Sequence, residues 1–111
     1  MEIKKFNEEI TTLKKFFEFY CDRKHTNQIN TKLTLIYKDT NISLNLKLCK
    51  ECLEKINYSF QRLQECSHEI KPKCRKCPTP CYEKKQWKET AKIMRYSGIN
   101  LKFLSLKDLL G

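Results

Sequence analysis

The side chains best equipped for chemistry in this sequence are its sulfurs. Seven cysteines and two histidines occur in 111 residues. The cysteines, with one histidine, fall into four groups: Cys21-x3-His25, Cys49-x2-Cys52, Cys66, and Cys74-x2-Cys77-x3-Cys81. Residues four apart on a helix share a face, so Cys21 and His25 can converge on one point. A C-x2-C pair brings two sulfurs to one ion. At a helix start, backbone N–H groups also stabilise thiolate charge. The run from Cys74 to Cys81 offers three sulfurs on a backbone partly fixed by Pro78 and Pro80. This is the chemistry of soft metal ligation.

These side chains must be positioned by the elements around them. Residues 2–24 read as an amphipathic helix, with Ile3, Phe6, Ile10, Leu13, Phe17 and Tyr20 at three- and four-residue spacing and Phe16 broadening the stripe. Residues 26–31 are polar and turn-like. The period then changes to two: Leu33, Leu35 and Tyr37 alternate, as do Ile42, Leu44, Leu46 and Leu48 after Lys38-Asp39-Thr40-Asn41. That pattern predicts a β-hairpin. A second helix is expected from about Cys49 to Cys66, burying Cys52, Ile56, Phe60 and Leu63, with Leu53 widening the face. Pro72, Pro78 and Pro80 force irregular backbone between Ser67 and Cys81. A third helix spans roughly Glu83 to Ser97, burying Trp87, Thr90, Ala91 and Met94. Gly98 is placed to end it in a left-handed cap, and Ser105 to cap a last short helix.

Helix rise sets the number of sites. At about 1.5 Å per residue, Cys49 and Cys66 stand roughly 25 Å apart along the second helix, too far to share one ion. The ligands therefore divide. Cys21, His25, Cys49 and Cys52 form one set, and Cys66, Cys74, Cys77 and Cys81 the other, leaving His68 over. Zn²⁺ suits both sets, iron is the other candidate metal, and the all-cysteine set equally accepts an iron–sulfur cluster. Blander roles compete: a buried cysteine is also a small hydrophobe, and His25 near a helix C-terminus complements the helix dipole. A redox dithiol at Cys49/Cys52 would want a βαβ pattern, which is missing. The expected fold is mainly α: a small helical bundle with a hairpin insertion at about 32–48, one domain over 1–111, stapled by one or two Cys/His metal centres.

Composition bounds the function. The longest apolar run is a few residues, so no transmembrane segment is predicted. The start, Met1 to Phe6, lacks the apolar stretch of a signal peptide. Cytoplasm is the expected compartment, where clustered cysteines more often mean metal than disulfides. The formal net charge is +10, from 23 Lys+Arg against 13 Asp+Glu. The lysines look scattered along the sequence rather than gathered on one stripe. Seven thiolates would take the +10 to +3 and two divalent ions would return it to +7, weakening the pull on an acidic partner. The chain has no nucleophile-elbow Ser and no phosphate-cradling Gly-rich loop, so no catalytic residue and no enzymatic activity is expected. A catalytic zinc needs a nearby acid or base, and Glu51 and Glu69, which could serve, read instead as solvated surface charges.

At these same residues the sequence resembles the nitrous oxide-stimulated promoter (YgbA-like) family of small cysteine-rich bacterial proteins. The resemblance rests on Tyr20-Cys21-x3-His25, on Cys49-x2-Cys52 followed by a helix, and on Lys71-Pro72-x-Cys74-x2-Cys77-Pro78-x2-Cys81-Tyr82. Met94-Arg95-Tyr96-Ser97-Gly98 adds to it. It covers nearly the whole chain, with residues 62–98 the most specific. The stretch between His25 and Cys49 is longer than the family usually carries, and Pro80 stands where a His is expected. The resemblance implies a cytosolic, non-enzymatic metal- or iron–sulfur-binding protein of nitrosative or redox stress, consistent with the reactivity of thiolates and their metal complexes. The alternative reading is a zinc-supported nucleic-acid-binding or regulatory protein. Metal ions are the expected partners, nucleic acid the alternative one, with no membrane and no protein partner indicated.

Overall fold

The computed structural model describes residues 2–65 and 82–110, apart from the side chains of 103–110. Among them are three helices and one two-stranded sheet: α1 (Ile3–Lys24), β1 (Ile29–Tyr37), β2 (Thr40–Leu48), α2 (Lys50–Gln64) and α3 (Lys84–Leu110). The mainly helical fold with a hairpin insertion agrees with the sequence reading. No described helix is long and apolar enough to cross a membrane.

α1 buries Phe6, Ile10, Leu13, Phe17, Tyr20 and Cys21. Ile3, at its first residue, stays partly exposed because the stripe begins before the rest of the fold can cover it. The hairpin lays one apolar face on the bundle: Leu35, Tyr37, Leu46 and Leu48 are buried, with Leu33, Ile42 and Leu44 packed at its margin. Phe6 and Tyr37 stack face to face, with ring centroids 4.1 Å apart, joining the start of α1 to the hairpin turn. The other hairpin face is polar apart from the exposed Ile36, with Thr34 and Ser43 hydroxyls 3.3 Å apart across the strands.

The hairpin is longer and tighter than expected. Pairing runs from Ile29 opposite Leu48 to Tyr37 opposite Thr40, so the strands start at residue 29 and the loop is Lys38-Asp39 alone. Both loop residues take positive φ, 47° and 63°. A two-residue type I′ loop requires this, because its twist matches that of the flanking strands. Residues 29–31 were hidden from the sequence because ladder hydrogen bonds use the backbone, whatever the side chain.

α2 buries Cys52, Ile56, Ser59, Phe60 and Leu63 along one face, as its periodicity demands. α3 departs from expectation: one helix runs through Gly98, where a break and a further short helix were predicted. Gly98 does not have positive φ, and a Cβ there would meet only the Phe16 ring at 3.7 Å, so the residue is helical backbone under no steric demand. Its neighbours hold it there. The Ser97 hydroxyl donates to the Phe16 carbonyl at 2.6 Å, and Asn100 Nδ2 donates to the Tyr96 carbonyl at 2.8 Å. The Tyr96 ring meets the Tyr20 ring edge-on at 5.5 Å. Tertiary contacts thus outweigh the roughly 1 kcal/mol that a mid-helix glycine costs relative to alanine. The face of α3 turned inward carries Thr90, Ile93 and Ser97, with Trp87, Ala91 and Met94 only half-buried.

Candidate metal centre

Three chain segments converge where α1 ends and α2 begins. Cys21, fully buried, stands in the last turn of α1. His25 is the C-cap: it has left helical geometry (φ −130°, ψ 169°) while its N–H still donates to the Cys21 carbonyl at 2.9 Å. The ring is therefore swung off the helix axis toward the incoming strand β2. Asn27 takes a left-handed φ of 63°, which asparagine tolerates, and turns the chain so that Gln28 faces back. The Gln28 amide donates to the Cys21 carbonyl at 3.0 Å and the His25 carbonyl at 2.9 Å, and lies 3.5 Å from Cys21 Sγ. It clamps the exit of α1. Cys49 follows β2 directly as the N-cap of α2, its sulfur accepting from the Cys52 N–H at 3.5 Å. The helix start thus directs both sulfurs toward α1.

The ligand atoms of Cys21, His25, Cys49 and Cys52 all lie within 4.8 Å of one another, and all three cysteines are buried. His25 Nδ1 is 3.5 Å from Cys49 Sγ and 3.3 Å from Cys52 Sγ. A tetrahedral ion with S and N ligands at about 2.3 and 2.05 Å has N···S edges of about 3.5 Å and S···S edges of about 3.8 Å. The set fits a single Cys₃His-bound ion with only small contraction.

Electrostatics support the same arrangement. Burial works against ionising Cys49, but hydrogen bonds from the Cys52 N–H, from the Cys21 and Cys52 side chains and from the Glu51 N–H outweigh it and hold the thiol below its ordinary range. For Cys52, burial comes first; contacts with Cys21 and Cys49 add to it, and its thiol is pushed far upward. Three sulfurs this close cannot all be thiolates unless a cation joins them, and a bound divalent ion inverts that balance.

A further shell surrounds the four. With Nδ1 facing the sulfurs, His25 Nε2 points at Glu51, 4.0 Å from its carboxylate. Glu51 is held well below the usual carboxylate range by its hydrogen bond with Lys55, then by the charges of Lys55 and His25. Lys55 in turn reaches Glu89 of α3 at 3.6 Å. Cys21 Sγ also accepts from the Cys49 N–H at 3.3 Å. Neither Gln28 nor the partnership of Glu51 with His25 was expected from the sequence. The one available signal was Glu51 standing between two cysteines at a helix start. Cys66, Cys74, Cys77 and Cys81, the expected all-cysteine set, lie outside the described residues, as do His68 and Pro80.

No curated protein and no solved structure matches the chain. A family model described as "Nitrous oxide-stimulated promoter" matches residues 4–106. The match spans α1, the hairpin, α2 and nearly all of α3, with all four converging ligands inside it, so the chain belongs to this nitrous oxide-stimulated promoter family.

Proposed function

We propose that this is a non-enzymatic metal-binding protein of nitrosative or redox stress, holding one Zn²⁺ or iron ion between Cys21, His25, Cys49 and Cys52. The observation that carries the reading is the convergence of four soft donors from two helices and a strand end within 4.8 Å. Four protein ligands close a tetrahedron and leave no position for a substrate, which favours a structural or sensing ion over a catalytic one. The family description supplies the link to nitrogen oxides, and thiolates are the protein groups that such species modify by S-nitrosylation. A set of free thiols persists in a reducing compartment, so the cytoplasm suits it. Cys66, Cys74, Cys77 and Cys81 are proposed ligands of a second centre, Zn²⁺ or an iron–sulfur cluster.

Purification without oxygen, followed by iron, zinc and sulfide analysis and an optical spectrum, tests the reading. At least one metal per chain is expected; a brown chromophore would indicate an iron–sulfur centre, and a colourless protein zinc. A chain that is folded, metal-free and indifferent to chelators would overturn it.

A further inference from the structure

α3 presents a single-signed stripe to solvent. Lys85, Lys88, Lys92, Arg95 and Lys102, with Ile99 between the last two, are all exposed. Their three- and four-residue spacing confines them to an arc of about 100°. This arc lies opposite the buried Thr90, Ile93 and Ser97. Between residues 84 and 102 the helix carries one acid, Glu89, and it is turned aside to pair with Lys55 of α2 at 3.6 Å. Among the described residues none of the five stripe cations has an ion-pair partner. Seventeen residues separate Lys85 from Lys102, about 25 Å of helix. The lysines that look scattered in the sequence are gathered on one face by the helical period of α3, and its continuity through Gly98 adds Lys102 to them.

We infer that this stripe binds the phosphate backbone of double-stranded DNA. An unneutralised row of cations attracts a polyanion and releases its condensed counterions. Ile99 is the one large apolar residue on the stripe, and between residues 84 and 102 the fully buried side of α3 faces the core, so this described part of the helix offers a bilayer little apolar surface. Single strands are a poor match, because the described aromatics of α3 are engaged elsewhere: Trp87 meets Tyr82 at 5.5 Å and Tyr96 meets Tyr20 at 5.5 Å. The B-form major groove, about 12 Å wide, admits a helix, whereas that of A-form RNA is too narrow. One arginine among four lysines, with no Asn or Gln on the stripe, makes backbone contact rather than base reading its task. The inference stands on α3 and is independent of the metal.

Fluorescence anisotropy with a labelled 20-base-pair DNA duplex tests it, titrating folded, metal-analysed protein across a range of salt. Binding is expected to be sequence-independent, with a log–log salt slope of about −3.6 to −4.5 for four or five phosphate contacts. The variant Lys88→Glu/Lys92→Glu/Arg95→Glu should lose at least about 100-fold in affinity at low salt. The charge-matched control Lys4→Glu/Lys15→Glu/Lys32→Glu, with the same change in net charge, should lose less than about tenfold. Metal content and melting should match the wild type in both. Absence of duplex binding at low salt, or equal loss in the two variants, would overturn the inference. So would preference for an RNA duplex, or for vesicles containing phosphatidylserine over DNA.

Discussion

The backbone N–H of Cys49 points at the sulfur of Cys21 from 3.3 Å, so the residue that starts α2 is tied to the one that ends α1 before any ion is considered. The same contact fixes the two helix ends at ligand distance. The candidate centre is therefore built by the fold, with Gln28 closing it from the loop side.

Glu51 should tune the centre from outside. Carboxylates behind a ligating histidine orient the ring and raise its basicity, and their loss typically lowers metal affinity 10–100-fold. Glu51 is largely exposed and 4.0 Å from Nε2, so the lower end applies. Glu51→Gln is expected to weaken binding about tenfold, read by competition with a chromophoric chelator. Stability of the metal-free chain should be nearly unchanged, as for other exposed pairs.

The two thiols of the C-x2-C pair should behave oppositely in the metal-free protein. Cys49, lowered, should be alkylated by iodoacetamide ahead of Cys52, which is raised and fully buried. Linkage gives the stability signs. Cys49 contributes stability that is present above the unfolded thiol value, about 8.5, and lost as pH falls through its lower folded value. Cys52 holds its proton more tightly when folded, so its contribution is present below that same value and lost as pH rises above it. The urea midpoint of metal-free protein should thus peak near pH 8 to 9. Alkylation of Cys52 first, or a midpoint still climbing well above that range, would contradict the assignment.

How much of this could be seen in the residues alone depends on which forces were at work. The buried stripe of α1, from Phe6 to Tyr20, was legible because one face meets the core over about four turns. The alternating face of the hairpin was equally plain. Its first three residues were not, since Ile29, Asn30 and Thr31 pair through backbone groups that carry no sequence signature. α3 was misread at Gly98 because the contacts that carry the helix past it, Ser97 with Phe16 and Tyr96 with Tyr20, come from a segment some eighty residues away. The break hid only the end of the basic stripe, Ile99 and Lys102; Lys85, Lys88, Lys92 and Arg95 already share a face at helical spacing before Gly98, and went unseen because the lysines were weighed along the whole chain rather than helix by helix. In the centre, ligand pairs were readable from spacing. Gln28 and Glu51 were not, because a clamp and an orienting carboxylate have no fixed offset from what they serve.

Ser97 offers a check on the α1–α3 contact. Ser97→Ala removes a buried hydroxyl that donates at 2.6 Å to the Phe16 carbonyl. The loss, partly offset by alanine's better helix propensity, should destabilise the protein by about 0.5–1 kcal/mol. Chemical denaturation measures it, and an unchanged midpoint would show that the bond contributes nothing net.

The hairpin turn carries strain that substitution can relieve. Lys38 and Asp39 sit at positive φ, where L-residues with ordinary side chains are disfavoured. Lys38→Asn/Asp39→Gly supplies the preferred type I′ pair and should stabilise the fold by roughly 0.5–1 kcal/mol, after allowing for glycine's greater unfolded entropy. Thermal melting reads the effect; a lower melting temperature would mean the loop is not a type I′ turn in solution.

The metal count per chain in Cys49→Ala/Cys52→Ala, purified without oxygen beside the wild type, addresses the centre most directly. Removal of both α2 sulfurs leaves Cys21 and His25 with no other ligands at this position, so the variant should carry one metal ion fewer per chain while retaining whatever the all-cysteine set binds. A variant whose metal content equals that of the wild type would contradict the account, and so would a wild type with no metal to lose.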